Sequence, residues 1–525
     1  MSISRRGLAA LAALPLAAPA FAQNRGDPRV LRIKLFGDLR ALDPFVSPEY
    51  MARNHGYMVY DTLFALDSKM RPQPQMVASH STSPDGLTWN FTLRDNLRFH
   101  DGAPVTSEDV IASLRRWSIR DGHGGQMLAE GNRLEAVDAK SFRLVLQRPW
   151  PLVLDALAKP SGLPAFIMPA RIASTPITTP ITDATGSGPY KLAREDWRLG
   201  DRTTYRRNTD YVPRAEPSDG LAGAKIGKVD VIEWVSLPDA ATALNALQTG
   251  ELDIFEELPP DLFPVVQRNR NLRLAAQDNA GVQPSFRMNH VVAPFDNVKL
   301  RQAMRLLVDP AEMMPAYMTD PARWQDCRSF FPCSSPFHTS EGWVTPNLDL
   351  ARTAVQQSGY DGTPVVILDA QDSTISSTFA RVSADRLRRV GMNVDLQAMD
   401  WATLVTRRLS KNPSNQGGWN LFVSAPAAVD IMDPVSHNGM RAAAARTALP
   451  GWPDDPELER LRDAFAAAGT LEERRRLAMA SQLRALEVVP YIPIGMMSLV
   501  RGHSARLSGI LEAAIPVYWN ITKAA

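Results

Sequence analysis

Between Pro84 and Trp117, hydrophobic and polar residues are ordered so that each short stretch favours one local structure. Leu87, Trp89, Phe91 and Leu93 alternate with polar residues at the period of a half-buried strand, and the turn dipeptide Asp85-Gly86 precedes them. Leu97 and Phe99 extend the alternation, and Asp101-Gly102 supplies a second turn. Thr106 and Asp109 have the spacing of a capping box, which predicts a helix with Val110, Leu114 and Trp117 on one face. His100 and Asp101 are read here as residues that shape a turn.

Further along, the order helix, glycine, strand recurs, which is the pattern of an α/β protein. Asp239 can cap a helix carrying Leu244 and Leu247, Gly250 ends it, and Leu252 to Phe255 follows as a strand. Asp349 precedes a second helix that stops at Gly359, before the apolar run Val365 to Leu368, a fully buried strand. A third helix carries Phe379, Val382, Leu387 and Val390 up to Gly391, with Val394 and Leu396 in the next strand. Pro160 to Pro189 and Pro213 to Gly227 read as loops. Thr470 with Glu473 predicts a capping box and a helix that buries Leu477, Leu483 and Leu486. Val488 to Ile494 reads as a buried strand, placed at an edge by Pro490 and Pro493. The patch Ala442 to Ala445 reads as a helical turn.

Composition narrows the function. The first 23 residues combine Arg5-Arg6, an apolar run from Leu8 to Ala18 and Ala20-Phe21-Ala22, the arrangement of an export signal, so cleavage is expected after Ala22 by a Sec or Tat route. No cysteine lies near that site, so a lipoprotein is not expected. Without Arg5 and Arg6 the chain keeps 56 basic residues against 56 acidic ones, a balance that gives no reason to expect nucleic acid or an anionic membrane as partner. Nothing after residue 22 approaches 18 uninterrupted apolar residues, the length needed to span a bilayer. Cys327 and Cys333 are the two cysteines, and in an oxidising compartment they are expected to form a disulfide worth about 2 kcal/mol. A metal site on these thiols would need His338 as a companion, and the bond is the favoured reading.

A catalytic constellation is hard to find. Gly186-Ser187-Gly188 lacks the spacing of a nucleophile elbow and reads as a turn. Gly223 to Lys228 is too short for a phosphate-binding loop, so any ATP hydrolysis belongs to a partner. The eight histidines include no H-x-x-x-H pair, and neither cofactor nor metal is expected.

The run from Pro84 to Trp117 resembles the signature of the family 5 extracellular solute-binding proteins, which serve ABC importers of dipeptides, oligopeptides and nickel. Four other stretches repeat the resemblance in the family's order: Gly186 to Leu192, Leu237 to Pro260, Pro294 to Asp309 and Arg386 to Trp401. The resemblance implies a two-lobed periplasmic-binding-protein fold of type II, with an extra subdomain in the first lobe and a ligand cleft between lobes. Carried over, residues 23–62, 183–284 and 500–525 form lobe I, 63–182 the extra subdomain and 285–499 lobe II. It also implies a periplasmic, non-enzymatic receptor, expected as a monomer, that hands a small solute to ABC permease subunits with separate ATPase subunits. The solute is expected to be a peptide or another amine-bearing compound, with nickel or a metallophore chelate as the alternative and a secreted hydrolase less favoured. By the same resemblance, Asp430 in APAAVDIMDP pairs with a ligand ammonium, Trp401 and Arg408 line the cleft, and Tyr50 and Asn289 are further candidates. His437 lies where nickel-binding relatives use a histidine. Relatives that take peptides carry Trp shortly before the cleft aspartate, where Pro426 and Ala427 stand here, so a wider or chemically different pocket is implied.

Overall fold

A computed structural model describes residues 27–47, 49–444 and 448–524. The expected export signal and Ala445 lie outside the described residues. The strand Thr88–Leu93 pairs on one side with Val77–Thr82 and on the other with Ser141–Val145, which also pairs with Arg133–Ala136 in a four-stranded antiparallel sheet. Phe91 stacks on Phe142 across it, ring centroids 5.0 Å apart. Leu97 and Phe99 are buried but do not continue the strand; they flank a single bridge between Arg98 and Pro104 that the Asp101-Gly102 turn closes. The capping box forms in both directions at Thr106 and Asp109, and the helix Ser107–Ser118 buries Val110, Leu114 and Trp117 almost completely.

His100 does shape a turn, and it also joins two segments. Its Nδ1 accepts from the Gly186 N–H at 3.2 Å and its Nε2 lies 3.2 Å from the Gly188 carbonyl. The Gly-Ser-Gly segment thereby packs flat on Val59 and Tyr60, so close that a Cβ on Gly186 would sit 1.7 Å from the Val59 carbonyl oxygen. Glycine is required there by contact with backbone.

Two larger sheets carry the rest. In the first, Val30–Lys34 runs parallel to Val231–Val235 and to Ile254–Phe255, and the strands Tyr190–Arg198, Arg202–Arg207, Leu272–Ala276 and Val500–Ser504 complete seven. Asp239 caps the helix Ala240–Thr249, and Gly250 ends it in the left-handed conformation at φ 76°. In the second, Val394–Met399, Val365–Ala370, Leu421–Ser424, Ser285–Met288 and Ile492–Pro493 lie in that order.

Further details depart from expectation. The helix Leu348–Gln357 is capped by Asn347, whose side chain takes the N–H groups of Asp349 and Leu350, so Asp349 sits inside it as a first-turn acid. Thr470 caps the helix Leu471–Val488 through the Glu473 N–H, but Leu483 lies on its outer face, because Leu477, Ser481 and Leu486 set the buried stripe. Only Ile492–Pro493 of the run 488–494 is strand, since the preceding helix extends to Val488; that strand is at a sheet edge, where proline is tolerated. Ala443 forms a bridge with Asp454, so the expected helical turn starts only at Ala444, whose carbonyl accepts the Ala448 N–H at 3.1 Å.

Buried apolar contacts continue from sheet to sheet. Leu458, Phe465 and Leu477 of the helices Pro456–Ala467 and Leu471–Val488 share one cluster with Tyr57, Phe166 and Trp519. Phe255 and Leu258 share another with Phe286 and Leu421. Lys225 and Asp61 form a fully buried ion pair at 2.6 Å, and Asp61 also accepts the Tyr211 hydroxyl at 2.8 Å. Lys523 pairs with Asp253 at 2.9 Å and pins the C-terminal segment to the first sheet. Gly186→Ala is expected to lower stability by about 3 kcal/mol or more, read as a lower urea midpoint with an unchanged slope. Gly469, with no atom within 4 Å of its Cβ position, is the control expected to change it little.

Candidate ligand site

After the strand Leu421–Ser424 the chain runs extended to Ala427 and then tightens into the single 3-10 turn Ala428–Asp430, which presents the Asp430 carboxylate. Val282 bridges Ala427, the Gln283 N–H donates to the Pro426 carbonyl at 2.9 Å, and Ala428 packs on Cys327 and Met496. The disulfide Cys327–Cys333, Cα atoms 5.8 Å apart, therefore stands directly behind the turn. His338 Nδ1 lies 3.8 Å from the Cys327 sulfur.

Asp430 faces two other parts of the chain. Tyr50 opens the helix Tyr50–Val59 instead of lying in the loop before it. Its hydroxyl donates to Asp430 Oδ2 at 2.8 Å and accepts the Ala427 N–H at 2.7 Å. Burial and the Asp430 charge push the Tyr50 hydroxyl well above its ordinary range, so it remains a donor. Arg53 lies over the Tyr50 ring at 4.4 Å and anchors to the Ser161 hydroxyl at 2.9 Å. On the other side is Gly162, where a Cβ would meet Asp430 Oδ1 at 3.0 Å. Lys159, the cation next to this loop, is committed to Asp121 and to the Gly162 carbonyl. Asp430 Oδ1 itself is buried without a hydrogen-bond partner. A carboxylate oxygen kept from water and left bare favours a cationic donor.

A second cluster adjoins the first through Glu49, which directly precedes Tyr50. Asp400 caps the helix Trp401–Arg407, the Trp401 N–H donates to Asp372 at 2.7 Å, and Arg408 closes the helix. The Arg408 guanidinium lies 5.9 Å from the Trp401 ring and 5.7 Å from the Phe422 ring, and its Nε is buried without a partner. Burial lowers its pKa, and the attraction of Glu49 opposes that shift. A guanidinium between two rings with a donor to spare is suited to a carboxylate or a planar polar group.

Asn289 does not join these residues. It is fully buried, its Nδ2 donates to the Trp419 carbonyl at 3.0 Å and its Oδ1 accepts the Val291 N–H at 3.2 Å, so it ties neighbouring strands together. His437 is likewise fully buried; its Nε2 meets the Phe330 carbonyl and the Tyr491 hydroxyl, its Nδ1 accepts the Met440 N–H, and burial holds its pKa down at about 3. No face of that ring is left for a metal.

Sequence reasoning missed Arg53, Gly162 and an acidic group on the first sheet. Glu256 and Glu257 follow the strand Ile254–Phe255, and burial pushes both carboxyls up to about 7. Glu256 keeps Oε2 without a partner while its Oε1 accepts from the Tyr518 hydroxyl. The motif LDIFEELPP contained both acids, but nothing in its spacing showed that the strand end would be covered.

Two sheets joined by crossing segments, with polar groups converging between them, define a two-lobed clamp. The profile described as "Bacterial extracellular solute-binding proteins, family 5 Middle" matches residues 71–443, and the chain belongs to that family. A probable peptide ABC transporter periplasmic-binding protein of Sinorhizobium fredii is 36% identical over 540 residues, covering 100% of both chains. The glutathione-binding protein GsiB of Escherichia coli K12 is 25% identical over 528 residues, 97% of this chain and 96% of that one. Among solved structures, a dipeptide binding protein from Pseudoalteromonas sp. SM9913 in complex with Met-Leu superposes with a TM-score of 0.78 at 18% identity, covering 94% of this chain and 100% of that one. No helix among the described residues is long and apolar enough to cross a membrane.

Two outcomes are expected. Tyr50→Phe leaves Asp430 Oδ2 and the Ala427 N–H unpaired and should cost about 1–3 kcal/mol of unfolding free energy, measured in urea. The carboxyls of Glu256 and Glu257 bind protons more tightly folded than unfolded, so they make the protein lose stability as pH rises from about 4.5 to about 7. Glu256→Gln should therefore reduce the fall in urea midpoint between pH 5 and pH 8; an unchanged fall would place the titration elsewhere.

Proposed function

We propose that this chain is the periplasmic receptor of an ABC importer and that it captures a peptide or another small solute bearing a primary amine. The bare Oδ1 of Asp430 carries the reading. It is a buried acceptor with no protein donor, bordered by Tyr50 and Gly162, and an ammonium placed there would complete its hydrogen bonding while Tyr50 keeps Oδ2. Trp401 and Arg408 would then meet the solute's remaining apolar and carboxylate parts. The peptide-transporter relative of Sinorhizobium fredii supports the same solute class.

In this reading residues 23–62, 183–284 and 500–525 form lobe I, 63–182 its extra subdomain and 285–499 lobe II. The sheet membership is consistent with these limits, since the seven-stranded, four-stranded and five-stranded sheets each draw their strands from one of the three sets. Asp430 and Tyr50 then lie on opposite lobes, and the ligand acts by favouring the closed arrangement, through contacts available only there. A micromolar solute requires about 8 kcal/mol net, within reach of one desolvated ion pair, an aromatic wall and several hydrogen bonds. The chain breaks no covalent bond, it works as a monomer, and a permease with separate ATPase subunits receives the closed form. Export by the N-terminal signal, without a lipid anchor, belongs to the same proposal.

Native mass spectrometry of protein taken from cells should show a retained small molecule with an amine. Asp430→Asn should weaken its binding at least tenfold in calorimetry, and small-angle scattering should show compaction on saturation. An unchanged affinity in Asp430→Asn would overturn the amine assignment, and steady conversion of the solute to product would overturn the receptor.

A further inference from the structure

The edge pair of the seven-stranded sheet, Leu272–Ala276 and Val500–Ser504, adjoins both segments that lead to the other large sheet. Residues 277–284 leave the first of these strands for Ser285–Met288, and residues 498–499 enter the second from Met496–Met497. Gly502 faces Leu247, Leu258 and Val266, so by strand alternation Arg501 and His503 face the other way, toward the segment 507–513. A cavity of about 500 Å³ lies on that side, walled by Gln277, Asp278, Arg501, His503, Leu511 and Glu512. Its size is within the range of small-molecule sites, about 300–1,000 Å³. None of the Asp430 site residues lines it.

The polar groups of this cavity are unevenly satisfied. Arg501 is 7% exposed, donates from Nη1 to the Gln277 carbonyl at 3.2 Å, and has its Nε buried without a partner. Its charge is felt by Glu256, Asp278 and Glu512, yet Glu256 is bonded to Tyr518 and Asp278 Oδ1 takes the N–H groups of Ala280 and Gly281. Glu512 stands exposed at the rim, in the segment that borders the cavity. A plain anion entering here meets two carboxylates, and a plain cation meets the guanidinium. A guest carrying both charges a few atoms apart meets an opposite charge at each end.

We propose that this hinge-side cavity binds a small zwitterion of the free amino acid type, its carboxylate on Arg501 and its ammonium toward Asp278 and Glu512. The site is separate from the solute cleft and independent of the identity of the cleft's solute. Its occupant touches residues 277–279, which open the first crossing, and Arg501, the second residue after the other crossing.

The test is calorimetric titration of the purified full chain with L-alanine, L-glutamate and L-arginine, with acetate and methylammonium as single-charge probes, in wild type and in Asp430→Asn. At least one amino acid is expected to bind one-to-one with an affinity that Asp430→Asn leaves unchanged, while acetate and methylammonium do not bind. Arg501→Gln should weaken that binding at least tenfold and Glu512→Gln at least threefold. Glu512 is exposed, so its variant carries the test should Arg501→Gln fail to fold. Absence of amino acid binding in Asp430→Asn, binding unaffected by Glu512→Gln, or acetate binding as tightly as the amino acids would each overturn the proposal. A failure of Asp430 to matter for the cleft's solute would leave these outcomes untouched.

Discussion

Removing a charge from water costs several kcal/mol unless a partner meets it in the interior, and this chain buries many charges. Most are met. Lys225 with Asp61, Arg116 with Asp43 and Lys523 with Asp253 are all buried pairs, each joining segments far apart in sequence. Lys225 also sits near the rings of Tyr57 and Trp519, so one ammonium organises the helix Tyr50–Val59, the strand Asp61–Thr62 and the C-terminal segment. Removing one partner from such a pair leaves its counterpart charged and dry, which is why these contacts fix the relative positions of segments even where their net contribution to stability is small. The buried polar atoms left unmet include four in the regions described above: Oδ1 of Asp430, Nε of Arg408, Oε2 of Glu256 and Nε of Arg501.

The local pattern made much of the fold legible. Thr106 and Asp109 forecast a reciprocal cap, and Asp239 and Gly250 bracket a helix at both ends, because capping is decided by residues in direct sequence proximity. Errors came where two neighbours offered the same chemistry or where burial was settled at a distance. Asn347 and Asp349 can both cap, and Asn347 wins because its side chain reaches two N–H groups while Asp349 gains from the helix dipole one turn in. Leu483 fits the helical period of Leu477 and Leu486 loosely, and which leucines are covered depends on where the helix Pro456–Ala467 and the segment 327–343 pack. The extension of the alternation to Leu97 and Phe99 failed because burial alone does not make a strand; a pairing partner is needed, and the turn at Asp101-Gly102 provides only one bridge.

Site residues divide along a similar line. Asp430, Tyr50, Trp401 and Arg408 were chosen through family resemblance, and the structure brings Tyr50 against Asp430 and Arg408 against Trp401. Asn289 is a candidate by position, and His437 only falls where nickel-binding relatives use a histidine; both are buried and engaged by backbone and hydroxyl groups. Nothing in one sequence separates an amide that bonds a ligand from an amide that bonds the next strand. Gly162 shows the converse: its role is to keep a side chain away from Asp430, so its contribution is a missing Cβ, which residue chemistry alone does not reveal.

In the proposed reading, with Tyr50 and Asp430 on opposite lobes, the Tyr50 hydroxyl lets closure and recognition share one carboxylate. The Tyr50 O–H satisfies Oδ2 of Asp430 and takes the Ala427 N–H, so on that reading closure itself would contribute two hydrogen bonds. Each is worth only about 1 kcal/mol net, because water satisfies the same groups when the lobes part. That is too little to hold a closed state strongly, and it leaves Oδ1 bare, a cost that grows as water is expelled. A guest ammonium at the proposed site would reverse the sign of this term: the same desolvation that penalises a bare oxygen strengthens a charge-assisted bond. An open form in which Oδ1 is hydrated would gain far less from the guest. On the proposed assignment, the difference between those two gains would shift the population toward closure, and Tyr50 would direct it to one oxygen by occupying the other.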